Sequence, residues 1–193
     1  NVFDERAWAQ FALDLGGFKA NLALEGGYNE FYREGLVRKG LFAGLDDNGR
    51  EIVVDGKVLT TYDSNGKPIT SKGRSEVQNF WTYSAKLGLQ YHFNGGHRIY
   101  ANGGYFNDAP TFSQSFISPR TRNSVVPNLE TVKTVSADLN YQFSNNGYNV
   151  RVTGFYTKIM DQTDMMSFYD DSQNSFTNFA MSGIDQRHMG IEL

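Results

Sequence analysis

The 193-residue chain scatters 18 basic and 21 acidic side chains along its length for a net charge of −3, which leaves no basic stripe to bind nucleic acid. Cysteine is absent, which removes disulfides, thiolate nucleophiles and cysteine metal sites, and no uncharged apolar run reaches the roughly 18 residues of a membrane helix. Aromatics at 15 % with 20 glycines and only 4 prolines suit strands and tight turns, and a transmembrane barrel, whose strands alternate, tolerates the negative mean hydropathy.

The chain opens on "NVFDERAWAQF" without an initiator methionine, a basic region or an apolar signal segment. An export signal is therefore expected to be absent or removed, and the chain to be a piece of a longer one. Period-two alternation begins in residues 6–15, with Ala7, Ala9, Phe11, Leu13 and Leu15 on one face and Gln10 and Asp14 on the other. Gly16-Gly17 then supplies the positive φ angles of a two-residue turn, and "FKANLALEGGY" repeats the pattern. That turn sets Leu15 opposite Phe18, Leu13 opposite Ala20, Phe11 opposite Leu22 and Asp14 opposite Lys19.

Residues 35–76 read as a long polar loop that holds small ribbons at Asn48-Gly49, Asp55-Gly56 and Asn65-Gly66. "NFWTYSAKLGLQYHF" follows, alternating Trp81, Tyr83, Ala85, Leu87, Leu89, Tyr91 and Phe93 against a polar face. To keep Ile99, Ala101, Gly103 and Tyr105 of the next strand on the apolar side, the "NGGH" turn needs an odd-length loop, placed at residues 95–97 with a bulge. A second long loop spans residues 107–128. In the hairpin after it, Asn146-Gly147 sets Phe143 opposite Val150, Tyr141 opposite Val152, Gln142 opposite Arg151 and Asn140 opposite Thr153. A third loop is expected over residues 161–174, and a last strand, "RHMGIEL", carries Met189, Ile191 and Leu193 on its apolar face.

The sum is about seven antiparallel strands whose alternate connections are short and whose other connections are long and polar, the asymmetry of an outer-membrane barrel. Aromatics band at both ends. Phe18, Tyr91, Phe93, Tyr141, Phe143 and Tyr148 lie beside the short turns, and Tyr28, Phe80, Trp81, Tyr83, Tyr105 and Tyr156 lie near the long loops, as two interfacial girdles would.

Catalytic and metal motifs are missing. No G-x-S-x-G elbow, P-loop or dinucleotide glycine pattern occurs, so no enzyme, cofactor or metal site is expected. His92, His97 and His188 have no spacing that shares a site. Asp161, Asp164, Asp170 and Asp171 lack the glycine and glutamate positions of an EF-hand, and solvated loop charge accounts for them. Gly26-Gly27 and Gly103-Gly104 are expected to let strands bend.

Four segments in order carry a resemblance: "RIYANGGYFNDAPTFSQSF" from residue 98, "VPNLETVKTVSADLNYQF" from residue 126, "VRVTGFYTKIMDQ" and "SGIDQRHMGIEL". Together they resemble the barrel of a TonB-dependent outer-membrane receptor of the type common in Bacteroidetes. The likeness covers most of the chain and is weakest over residues 36–78.

The resemblance implies an all-β, up-and-down transmembrane barrel of about 22 strands closed by a plug. Such a receptor imports a siderophore, cobalamin or glycan across the bacterial outer membrane with energy delivered through TonB. Residues 1–193 would supply about a third of that barrel, without the plug, the remaining strands or the aromatic residue that normally ends the last one. The implied partners are outer-membrane lipid and lipopolysaccharide, the plug, the TonB complex and a nutrient ligand, with no nucleic acid. The apolar face would meet lipid, leaving Lys19, Glu25, Lys86, Gln90, Asp138, Asn140 and Arg151 to face the lumen or plug. For ligand contact the "AP" loop region combines the aromatic faces of Phe112 and Phe116 with the guanidinium groups of Arg120 and Arg122, suited to sugars or anionic chelates. Two other architectures fit some of the pattern: a complete barrel of about eight strands with an adhesin or structural role, and a soluble glycan-binding sandwich whose apolar faces meet in a two-sheet core.

Overall fold

The computed structural model describes residues 1–171 and 175–193. Its seven long strands form one antiparallel sheet in chain order. They are β1 (Val2–Leu15), β2 (Phe18–Phe31), β3 (Gln78–His92), β4 (His97–Asp108), β5 (Val132–Asn145), β6 (Tyr148–Asp170) and β7 (Ser175–Glu192). β1 and β7 are its two edges, as in a barrel segment that has not closed. A two-sheet sandwich is excluded, because every long strand belongs to this single sheet. No helix among the described residues is long and apolar enough to cross a membrane.

Turn chemistry fixes the register. Gly16 alone takes a positive φ, 72°, so the first hairpin turn needs its flexible residue at the first central position only, and Leu15 pairs with Phe18. Asn146 and Gly147 both take positive φ, 36° and 90°, the twist that matches a right-handed ribbon, and Phe143 pairs with Val150. The turn between β3 and β4 is odd in length as parity demands. It is Asn94-Gly95-Gly96, closed by the Phe93 amide on the His97 carbonyl at 2.9 Å, one residue earlier than the sequence suggests. Gly95 and Gly96 absorb positive φ angles of 83° and 84°.

Constant register from β1 to β6 keeps the two faces chemically distinct. Along β5, Leu139 is 60 % exposed on one face, while the adjacent Asn140 is 4 % exposed on the other. Among the described residues of the sheet the buried side chains are Phe31 against polar Asn29, Thr82, Asn107, Asn140 and Thr163, so this sheet is inside out relative to a water-soluble core. On the polar face Asn102 and Asn140 both donate to Asp138 and Thr153 donates to Asn140 at 2.6 Å, a chain of contacts crossing β4, β5 and β6. On the apolar face Phe11, Leu139, Val150, Met189 and Ile191 stand uncovered, a continuous band far larger than a soluble surface sustains.

The structure corrects several sequence expectations. Residues 161–170 are strand, not loop: β6 runs on to Asp170 and pairs with β7 from Ser175 onward. The tip of that expected loop, residues 172–174, lies outside the described residues. Asp161 takes a left-handed φ of 59° and Gly183 one of 73°, and the register slips between Ile159 and Asp164. That bulge breaks the alternation by which a strand is recognised. Phe80 is not part of an outward girdle, since its ring lies 5.9 Å from that of Phe31 on the polar face. His97 belongs to β4 rather than to the turn and donates to or accepts from the Tyr141 hydroxyl at 2.7 Å on the apolar side. Gly104 and Gly27 also sit where a side chain would crowd, since a Cβ would stand 2.7 Å from the Phe106 ring and 2.7 Å from the Thr82 hydroxyl respectively, whereas Gly26 has open space beside it.

The faces make a direct prediction. Leu139→Arg, placed mid-strand on the apolar face, should destabilise insertion of the intact protein into phosphatidylcholine vesicles by roughly 2–4 kcal/mol in urea titrations. Ser136→Arg, three residues away on the polar face, should cost less than about 1 kcal/mol in the same assay.

Candidate functional site

The two long connections, residues 32–77 and 109–131, meet above the sheet and form one layer. The first contains three ribbons, Glu34–Gly35 with Gly73–Arg74, Val53–Val54 with Lys57–Val58, and Thr61–Tyr62 with Pro68–Ile69. Asp55-Gly56 turns one of them with φ values of 48° and 75°. The second carries a single helical turn, Phe112–Ser115.

Arg33 joins the two. It leaves the end of β2, is 8 % exposed, and donates from Nε to the Pro119 carbonyl at 2.6 Å and from Nη1 to the Ser71 carbonyl at 2.8 Å. Nη1 also donates to the Asn123 side-chain oxygen. Burial pushes the Arg33 pKa below its ordinary value, yet the group stays charged and multiply hydrogen-bonded. Around it the Ser75 hydroxyl accepts from the Arg33 amide at 2.9 Å, and the Asn123 amide donates to the Thr70 carbonyl at 2.8 Å. The approach is so close at Gly35 that a Cβ there would stand 1.7 Å from the Ser71 carbonyl oxygen.

Aromatic packing roots the second loop. Phe116 is fully buried, with its ring 4.9 Å from Phe112 and 6.4 Å from Phe31. Farther along, Asn178 of β7 donates to the Ile117 carbonyl at 3.0 Å, so the extension of the β6–β7 hairpin buttresses the same loop.

Between the loops lies a cleft of about 550 Å³, with Asp63, Lys67, Arg74 and Glu76 on one side and Arg122 and Asn123 on the other. Lys67 and Glu76 pair at 2.8 Å, and Asp63 accepts from the amides of Asn65 and Lys67, each at 2.9 Å. Arg74 lies over the Tyr32 ring at 3.8 Å and Arg122 over the Phe42 ring at 5.0 Å.

Of the four ligand-contact candidates, Arg122 alone lines this cleft. Phe116 is covered on all sides and supports the loop instead of meeting a ligand, Phe112 packs beside it, and the Arg120 side chain is exposed while its carbonyl accepts from Lys39 at 3.0 Å. Arg74, Tyr32 and Arg33 escape sequence reasoning because no motif marks them and their partners lie tens of residues away. The polar-face candidates all lie on that face of the sheet. Lys19 pairs with Asp14 at 2.7 Å, Glu25 lies 3.5 Å from Arg6, Lys86 stands over the Phe106 ring at 5.2 Å, and Gln90 contacts His92. Asp138 and Asn140 belong to the chain of contacts already described, and Arg151 pairs across from Gln142. No cluster of three or more His, Asp or Glu suited to a metal occurs among the described residues, and Asp161 instead accepts from Lys133 at 2.7 Å.

An antiparallel sheet with one lipid-compatible face, short turns at one end and a folded loop layer at the other is the wall of a transmembrane barrel. Residues 2–193 match the family model for the TonB dependent receptor-like β-barrel. The chain belongs to that family, whose members are outer-membrane receptors and transporters. Comparison with curated proteins and with solved structures returns no match.

Loss of the Arg33 clasp should loosen the loops without unfolding the sheet. In Arg33→Met, limited proteolysis within residues 32–77 and 109–131 is expected to run roughly 10- to 100-fold faster than in the parent, since carbonyls of both loops lose a charged donor. The heat stability of the barrel in detergent gels should stay unchanged.

Proposed function

We propose that this chain is the wall and part of the outer loop layer of a receptor that imports a scarce nutrient of the siderophore, cobalamin or glycan class across the bacterial outer membrane, without enzymatic activity. The observation that carries this proposal is the family match over nearly the whole chain, joined to a sheet whose apolar face has no protein cover. β1 and β7 would continue into further strands of a barrel of about 22, with a plug inside it and TonB supplying energy from the inner membrane. Lys19, Glu25, Lys86, Gln90, Asp138, Asn140 and Arg151 would face that plug or the water around it, while lipid and lipopolysaccharide would cover the opposite face.

The open edges favour this proposal over a complete small barrel, in which the first and last strands would pair. Residues 1–193 are then a partial barrel domain. Recognition would occur in the loop layer, where Arg122 remains the candidate contact, and transport would need the parts beyond this sheet.

Two measurements test the proposal. Disruption of the gene should abolish growth when the nutrient is scarce and leave growth unchanged when it is abundant, and indifference to every limiting nutrient of these classes would sink the transport role. Because this stretch contains no cysteine, single cysteines report on each face. Leu139→Cys should react with a bilayer-soluble maleimide and resist a charged one, and Ser136→Cys should show the reverse preference, by at least about tenfold in rate.

A further inference from the structure

Two of the three cations lining the loop cleft have no carboxylate partner. Arg122 and Arg74 both line it, and among the described residues neither has a carboxylate within ion-pair distance. Each rests on an aromatic ring instead, Arg122 on Phe42 and Arg74 on Tyr32. An aromatic face attracts a guanidinium but leaves its edge donors unused. The Arg122 Nε is buried without a hydrogen-bond partner, so contact with a ligand would fall to the other donors of that guanidinium.

The carboxylates lining the cleft already have partners other than the two arginines. Glu76 accepts from Lys67, and Asp63 accepts from backbone amides of its own turn. The remaining lining mixes polar Ser64, Thr70 and Ser124 with apolar Ile69, Ile117 and Val125. Two guanidinium groups held on aromatic platforms, with their forks unspent, are arranged to meet an oxyanion: bidentate geometry suits carboxylate, sulfate and phosphate alike. Desolvation lowers the Arg122 pKa from its ordinary value, as partial burial of a cation does.

We propose that the cleft between residues 63–76 and 117–127 binds a soluble ligand through a carboxylate, sulfate or phosphate group, with Arg74 and Arg122 as the donors. This rests on the receptor reading and narrows it: the nutrient, or the part of it held here, is anionic. The volume of about 550 Å³ accommodates an acidic sugar or a chelate with several carboxylates.

Calorimetric titration of the intact receptor in neutral detergent at low salt, with citrate and inorganic phosphate as probes and maltose as the uncharged control, tests the proposal. Citrate is expected to bind and maltose to fail. Arg74→Gln and Arg122→Gln should each weaken citrate about tenfold, and the lysine substitutions Arg74→Lys and Arg122→Lys should recover part of that loss. Lys57→Gln, at an exposed lysine outside the cleft, should change nothing. Limited proteolysis of each variant confirms that the loop layer stays folded, and if a Gln variant opens it, the comparison passes to the Lys variant.

Absence of binding by both anions overturns the proposal, as does an equal loss in Lys57→Gln, which would mark diffuse charge. Lipid A micelles form a further arm: binding of lipid A through these arginines with no binding of citrate or phosphate also overturns it, because the occupant would then be a lipid headgroup. The outcomes separate from those of the transport test. Uptake that survives without any anion binding removes this proposal alone, whereas arginine-dependent citrate binding in a receptor whose disruption affects no uptake removes the transport role alone.

Discussion

The backbone ladder governs this molecule. In hydrocarbon an amide without a partner costs several kcal/mol, because no water replaces the missing bond, so each strand must match its neighbours without a gap through the bilayer. The five pairings from β1 to β6 keep a constant register. The slip occurs in the sixth, between Ile159 and Asp164, towards the end that carries the loops. At about 3.3 Å per residue, the 23 residues of β6 exceed what a bilayer requires, and the irregularity falls in the surplus.

That constraint explains what the sequence discloses. A fixed register preserves parity, parity preserves the alternation of apolar and polar residues, and turn residues reveal where the chain reverses. Asn146-Gly147 and Gly16-Gly17 are therefore enough to give every partner in two hairpins. The same logic fails where parity fails: the left-handed Asp161 displaces the alternation, so a strand of polar and sulfur-bearing residues reads as loop. Phe80 misleads for another reason. An aromatic near a strand end serves equally well as an interfacial anchor or as the footing of a folded loop, and its position in sequence does not reveal which face receives it.

The loop layer depends on long-range contacts that no local pattern encodes. Arg33 meets Ser71, Pro119 and Asn123, which lie 38, 86 and 90 residues away in sequence or contact, respectively. Phe116 has the composition of a ligand-binding aromatic and the environment of a core residue. Arg122 has the composition of a loop cation and lies in a cleft. Chemistry of the residue type was legible in both cases, but covering by neighbours decides its use, and covering is a property of the folded loops.

Arg33 also determines when the loop layer becomes ordered. Its donors bind both connections together, so conformational entropy of those segments is lost when the loop layer folds. If the proposed anion binds there, a cleft formed in this way would meet it as a shaped surface, with encounter set by diffusion and charge instead of by loop closure. Selectivity would then reside in geometry that exists beforehand: a molecule that does not fit could not induce its own site, and the proposed receptor would discriminate before any energy is spent on cargo.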